Sequence, residues 1–188
     1  LEGEEISYYI WANDTSGNQA QTAEFSFTVA AEVVSFDIEL EDGWNLVSVP
    51  LLTGTSDAND IFGPEVSKVE TYDGDDISPT STIEDNRGYF VYADSSYTET
   101  IEGSEATAMQ SVSLDQGLNL VGISSLSDIG LEELPSEVIE VAKRNAGGQY
   151  SIATRYGSVW YNPDSIAVEP GIGYWFKTNS AVTWEYNP

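Results

Sequence analysis

Three aspartates fall within four residues at Asp73-Gly74-Asp75-Asp76. Clustered carboxylates in a short glycine-containing loop are the donor set that a hard cation such as calcium takes. They also repel one another unless a cation sits between them. Asp73, Asp75 and Asp76 are therefore the leading calcium candidates, ahead of Asn13-Asp14-Thr15-Ser16-Gly17-Asn18 and Asp57-Ala58-Asn59-Asp60. None of the three has EF-hand spacing with a closing glutamate, and the competing reading is that Asp, Asn and Gly simply form exposed turns. A second chemistry is suggested by Trp160-Tyr161, an aromatic pair of the kind that forms a platform for sugar rings. Here the alternative is that Trp160 caps an enlarged core. A third candidate is Asn13-Asp14-Thr15, an N-x-T glycosylation acceptor placed in a predicted turn.

Covalent catalysis finds little to work with. The chain has no His and no Cys, so Ser-His-Asp and Cys-His arrangements, His-based zinc sites and disulfides are all excluded. A Ser-Lys dyad would draw on Lys68, Lys143 or Lys177, and none lies in a recognisable motif. Paired carboxylates hydrolyse glycosides, but among 32 acidic residues proximity alone carries no signal. The expectation is a non-catalytic protein with no cofactor other than the calcium candidate.

The charge balance narrows the partners. The 32 Asp and Glu face 6 Lys and Arg, a formal net charge of −26. Nucleic acid needs a positive footprint that is missing here, and anionic membranes repel such a chain. No apolar run approaches the ~20 residues of a membrane span, so no direct membrane insertion is expected. The N-terminus lacks the basic-then-apolar pattern of a signal peptide and reads as the middle of a domain, as in a fragment of a longer precursor. Acid-rich, Lys-poor surfaces are the pattern of proteins from salt-loving microbes; an ordinary acidic secreted protein is the alternative. Self-repulsion at this charge is relieved by salt.

The elements that would position these groups read as strands. Ile6 to Ala12 is β-branched and aromatic, Asn13 to Asn18 is dense in turn formers, and Phe25 to Val29 alternates with period two. The first 31 residues thus form a hairpin, and a hairpin is marginal alone. Beyond it the chain repeats. Leu40-Glu41-Asp42-Gly43-Trp44-Asn45-Leu46-Val47 falls on Leu114-Asp115-Gln116-Gly117-Leu118-Asn119-Leu120-Val121. Glu65 to Val69 falls on Glu137 to Val141, and Gly88-Tyr89-Phe90-Val91 falls on Gly173-Tyr174-Trp175-Phe176. These landmarks define two related modules, 32–105 and 106–188, the second with an insertion that holds Tyr150 to Arg155 and Val159-Trp160-Tyr161. An insertion between core strands tends to be a surface loop, and loops carry function. A helical turn capped by Asp57 or Asn59 is expected at 57–62. The β-branched Glu137 to Arg144 run is read as a strand. The fold class expected is all-β, with at most short helical turns.

These landmarks resemble a repeat with the pattern G-W-N-L-[IV]-S-x-P, then hydrophobic-x-x-Y-x-G, then P-G-x-G-Y-W. It recurs in tandem in archaeal and bacterial surface-layer, adhesive and secreted proteins. The first module carries Gly43-Trp44-Asn45-Leu46-Val47-Ser48-Val49-Pro50 and Val69-Glu70-Thr71-Tyr72-Asp73-Gly74; the second carries Pro170-Gly171-Ile172-Gly173-Tyr174-Trp175. Departures occur: Leu118 stands for the tryptophan in the second module, and Asn86-Arg87-Gly88-Tyr89-Phe90 closes the first. Tyr9 through Val29 in turn resembles the last two strands of an immunoglobulin-like domain. The resemblances imply an extracellular, cell-surface location. They also imply a structural or adhesive role, with protein partners or self-association through strand edges. The alternative is a carbohydrate- or ligand-binding accessory module of a secreted hydrolase, with Trp160 and Tyr161 at its site. Trp44, Leu46 and Tyr174 are expected in the core, and Asn45 and Asn119 are expected to bond backbone groups after their turns.

Overall fold

The computed structural model describes residues 5–29, 32–162 and 164–188. The chain is all-β, and every strand pairing is antiparallel among the described residues. It divides into two compact units, residues 1–33 and 34–188. No helix is long and apolar enough to cross a membrane.

The first unit is an irregular hairpin of β1 (Glu5–Tyr8), β2 (Trp11–Asn13), β3 (Gln19–Gln21) and β4 (Phe25–Thr28), in which β1 pairs with β4 and β2 with β3. The start of the expected 1–31 segment and its residues 30 and 31 lie outside the described residues. The strand expected to run unbroken from Ile6 to Ala12 is interrupted. Tyr9 and Ile10 face three residues, Thr22, Ala23 and Glu24, and the extra residue makes a bulge. Thr22 holds the break by donating its N–H to the Ile10 carbonyl and accepting the Ile10 N–H on Oγ1, both at 3.0 Å. Strand alternation puts the cross-strand pairs Ile6/Phe27 and Tyr8/Phe25 on one face, and Glu5/Thr28 and Ser7/Ser26 on the other.

The second unit contains two arrangements of the same order. In the first module β5 (Val34–Leu40) and β6 (Gly43–Ser48) precede a short helix α1 (Ala58–Phe62), followed by β7 (Val66–Tyr72), β8 (Ile77–Pro79), β9 (Gly88–Ala93) and β10 (Tyr97–Gly103). In the second, β11 (Gln110–Leu114) and β12 (Gly117–Val121) precede a 3-10 turn at Leu131–Glu133, then β13 (Val138–Arg144), β14 (Tyr150–Tyr156), β15 (Val159–Tyr161), β16 (Tyr174–Thr178) and β17 (Val182–Tyr186). The first sheet runs β6-β9-β7-β8 and the second β12-β16-β13-β14-β15, each covered by a ribbon, β5/β10 or β11/β17. Equivalent registers coincide. Gly43 pairs with Ala93 as Gly117 pairs with Thr178, and a bulge follows Val66 as one follows Val138. Between each ribbon and its sheet lies a separate core. Ile38, Leu40, Phe62, Tyr89 and Val91 fill the first, and Leu114, Val141, Tyr174, Phe176 and Trp184 the second. Each large apolar side chain so buried contributes roughly 1.5–3 kcal/mol.

The repeated residues have repeated jobs. Gly43 and Gly117 take φ values of 95° and 108°, which a side chain disfavours, and turn the ribbon into the sheet. Two residues on, Asn45 clips that turn: its Oδ1 accepts the Glu41 N–H at 2.9 Å, and its Nδ2 donates to the Glu41 carbonyl at 2.8 Å. Asn119 makes the same pair of bonds with Asp115, at 2.8 and 2.9 Å. Asp57 caps α1 by accepting the Asn59 and Asp60 N–H groups.

The modules meet at a seam built from main chain. Ser48 N donates to the Gly171 carbonyl and Gly122 N to the Asn86 carbonyl, each at 3.1 Å. Ser48 is equivalent to Gly122 and Asn86 to Gly171, so the two bonds are related by a pseudo-two-fold axis. The bridges Val47 to Ile172 and Val121 to Arg87 obey the same relation. Small residues permit the approach. A Cβ on Gly173 would lie 2.8 Å from the Val47 carbonyl oxygen, one on Gly88 would lie 3.1 Å from that of Val121, and one on Gly122 would overlap the Ser48 Cβ.

Tyr89 and Tyr174 each anchor the loop before their own strand. Both rings are fully buried. The Tyr89 hydroxyl accepts the Glu84 N–H at 2.6 Å, and the Tyr174 hydroxyl accepts the Glu169 N–H at 3.0 Å. Burial pushes the Tyr89 pKa up to about 12 and raises that of Tyr174 as well, so both stay protonated. Replacement by phenylalanine leaves the volume and strands an N–H. We expect Tyr89→Phe and Tyr174→Phe each to lower unfolding free energy by about 1–2 kcal/mol in a urea titration. An unchanged midpoint would show that these bonds do not hold the loops.

Candidate functional site

Strand alternation decides which aromatic rings leave the core. In β9, Tyr89, Val91 and Ala93 point inward and are fully buried, which turns Phe90 and Tyr92 outward. Trp44 lies opposite Tyr92 and therefore shares that outer face. Trp44 is half-buried there and is no member of the core, contrary to the sequence expectation; Leu46, on the same face, is buried at the seam, and Tyr174 is in the core. In β16 the same rule buries Tyr174 and Phe176 and turns Trp175 outward.

The outward rings form a belt that crosses the seam. Tyr92 and Trp44 are 5.2 Å apart between centroids, Trp44 and Phe90 6.5 Å, Phe90 and Trp175 6.1 Å, and Trp175 and Tyr72 5.0 Å. All five are half-buried, fixed at the base and open to solvent above. Lys68 Nζ lies 5.6 Å from the Tyr92 centroid and 6.0 Å from that of Trp44, a cation held by two ring faces. On the second module Lys177 pairs with Glu140 at 3.1 Å, next to Leu118. Rings with adjacent donors and acceptors stack on sugar C–H faces and bond hydroxyls. The same surface suits a protein partner.

The seam also opens two clefts related by the same axis. One, of about 360 Å³, is lined by Tyr72, Asp73, Asp85, Arg87 and Leu118 among others. The other, of about 330 Å³, is lined by Phe36, Asp37, Glu39, Arg144 and Ile172 among others. Each holds an arginine among carboxylates.

Asp73 lies in the first cleft, but the calcium candidates do not converge. Asp73 Oδ1 accepts the N–H groups of Asp75 and Asp76, both at 3.1 Å. These bonds, that from Asp76 foremost, hold the Asp73 carboxyl below the usual range. Among the described residues no group of three or more Asp or Glu could hold a metal ion. Asp14 behaves alike: bonds from the Asn18 side chain and backbone lower its pKa.

Trp160 and Tyr161 part company. Trp160 is half-buried against the second core, and its Nε1 donates to the Leu131 carbonyl at 2.8 Å. The Arg155 guanidinium covers its ring at 4.5 Å and donates to the carbonyls of Leu131, Leu134 and Pro135. Tyr161 is exposed. Asn13 ends β2 and is exposed. The belt was the feature missed from sequence; the signal was present in the alternation Tyr89-Phe90-Val91-Tyr92, whose two faces both carry aromatic rings.

No protein-family profile, curated protein or solved structure matches the chain.

The acidic surface leaves a measurable trace outside the belt. Glu99 is half-buried near the end of α1; desolvation, and secondarily the Glu65 charge, raises its pKa. The folded state thus holds this proton more tightly than the unfolded chain. Stability is lost as pH rises through the folded pKa, and nothing is lost below the usual carboxylate range. We expect Glu99→Gln to raise the Tm at pH 7. The gain should vanish on acidification below the glutamate range and shrink as salt screens Glu65. A gain that persists at low pH would exclude this electrostatic cause.

Proposed function

We propose that this chain is a non-catalytic structural or adhesive element of an extracellular assembly, such as a cell surface, surface layer or virion, adapted to high salt. The observation that supports it best is the seam: two β modules are fixed to each other by paired main-chain bonds, which suits a stiff spacer or lattice element. The charge of −26 and the resemblance to tandem repeats of surface-layer and adhesive proteins point the same way. The hairpin fits the end of an immunoglobulin-like β-sandwich. Its strand edges would take protein partners or another copy by strand addition.

The test is thermal unfolding from low to multimolar potassium chloride, repeated with millimolar calcium and with chelator. We expect the Tm to climb steadily with salt and to ignore calcium. Full recovery of stability by calcium alone at low salt would replace a solvated acidic surface with specific cation sites.

A second reading, a carbohydrate-binding accessory module, is favoured by the aromatic belt. It expects tryptophan fluorescence to be quenched by a soluble polysaccharide, and the quenching to be lost in Trp44→Ala and Trp175→Ala but kept in Tyr161→Ala. Binding that survives both belt substitutions would remove the belt from consideration.

A further inference from the structure

The seam is two-fold in its main chain but not in its side chains, and its asymmetry is matched across the interface. On one side Asn86, at φ 61°, reaches into the second module. Its Nδ2 donates to Gln110 Oε1 at 3.2 Å, and its Oδ1 accepts the Ser124 N–H at 3.0 Å and the Tyr186 hydroxyl. On the other side every equivalent residue is apolar or lacks the donor. Gly171, at φ 76°, stands for Asn86, Phe36 for Gln110, Pro50 for Ser124 and Ile101 for Tyr186. A Cβ on Gly171 would lie 2.6 Å from Phe36 Cε1, so the ring occupies the space that a side chain would need.

We infer that the seam is a self-recognition surface coded for unlike modules, and that the partner it fits is the second module of this chain or of another copy. Pairing two first modules would drive the Asn86 side chain into the position of the Phe36 ring and leave its amide facing Pro50 and Ile101 with no donor or acceptor. Pairing two second modules would set the Gln110 amide oxygen and the Tyr186 hydroxyl proton against a bare glycine, while the Ser124 N–H would keep only its bond to the Tyr186 hydroxyl at 2.8 Å. Both alternatives bury unpaired polar groups, which is how an interface rejects a wrong partner. Only first-with-second satisfies both sides.

The connection between the modules favours pairing within one chain. Between Gly103 and Gln110 the chain has residues 104–109, a span of at most ~20 Å. Ser104 is further tied to Leu52 by two main-chain bonds. The effective concentration of the cis partner is therefore high. Exchange between chains requires the cis partner to be released or the connection to be cut. Where copies crowd together, reciprocal exchange through the same surface would join two chains with no new contact.

Two measurements test this. In the full chain, Gly171→Asn keeps a residue that tolerates positive φ but clashes with Phe36; we expect the Tm to fall by at least about 4 °C. Phe36→Gln combined with Gly171→Asn installs the amide pair found on the other side and should recover at least half of that fall. A double variant that loses the sum of its singles would overturn the code. Second, a protease site introduced within 105–109 is cleaved, and the products are unfolded, refolded together with an isotope-labelled cleaved copy, and weighed by native mass spectrometry. We expect one-to-one pairs of unlike halves with labels exchanged. Separate halves, or like pairs as frequent as unlike ones, would overturn the proposal.

Discussion

Gly122 lies where the backbones of the two modules approach closely, and the seam between them requires its lack of a side chain. A Cβ there would overlap that of Ser48, its own equivalent across the pseudo-axis. With hydrogen in that place, the backbones close until Ser48 N reaches the Gly171 carbonyl and Gly122 N the Asn86 carbonyl. Gly88 and Gly173 serve the same approach one step out, each facing a carbonyl and a leucine side chain of the other module. These are obligatory groups: a buried N–H or C=O without a partner is costly, so the seam is as well defined as a sheet ladder. The position of the aromatic belt follows, because Phe90 and Trp175 touch only when the glycines let the sheets meet.

The charge distribution explains why so acidic a chain can still be compact. Five of its six cations are engaged. Arg87 pairs with Glu84, Lys143 with Glu169 and Lys177 with Glu140, while Arg155 binds three carbonyls and the Trp160 ring and Lys68 sits over Trp44 and Tyr92. Acidic side chains lie on the turns and on the outward positions of the strands, as along β5 and β10, where Asp37, Glu39 and Glu102 are exposed. Separated charges in water repel weakly and are screened within a Debye length of ~8 Å at physiological salt. The cost is spread over the surface and is relieved by electrolyte.

Much of the fold was legible because strand alternation and turn chemistry are local. A short helix capped by Asp57 or Asn59 and the strand at 138–144 could be read from residue types, and the match of 40–47 onto 114–121 marked Gly43 and Gly117 as equivalent turns. Other features depend on contacts that no local pattern encodes. Alternation separates two faces of a strand without saying which one is covered, and so Trp44, read as core, lies outside. The three carboxylates at 73–76 were legible as a candidate cation cluster by composition alone. Whether an aspartate faces its neighbours or its own backbone is set by turn geometry, and Asp73 turns back on its own N–H groups. The bulge at Thr22-Ala23-Glu24, opposite Tyr9-Ile10, is equally silent in sequence, since it arises from unequal strand lengths between two pairings.

A pseudo-two-fold seam has a consequence for how such modules are used. In an open solenoid each repeat offers one face to the unit before it and a different face to the unit after it, and stacking continues without limit. Here both modules present the same face, so pairing consumes it on both and the contact closes. Any further contact would use other surfaces, among them the belt that runs across the closed pair and the outer edges at β8 and β15. The seam fixes the spacing of the belt's rings: Trp44 and Tyr92 belong to one module, Trp175 to the other, and Phe90 touches both. A ligand that spanned these rings would bind only the paired form and so would stabilise the seam it lies across. The spacing of the rings and the closure of the seam are thus set by the same strands, β6, β9 and β16, with β7 adding Tyr72.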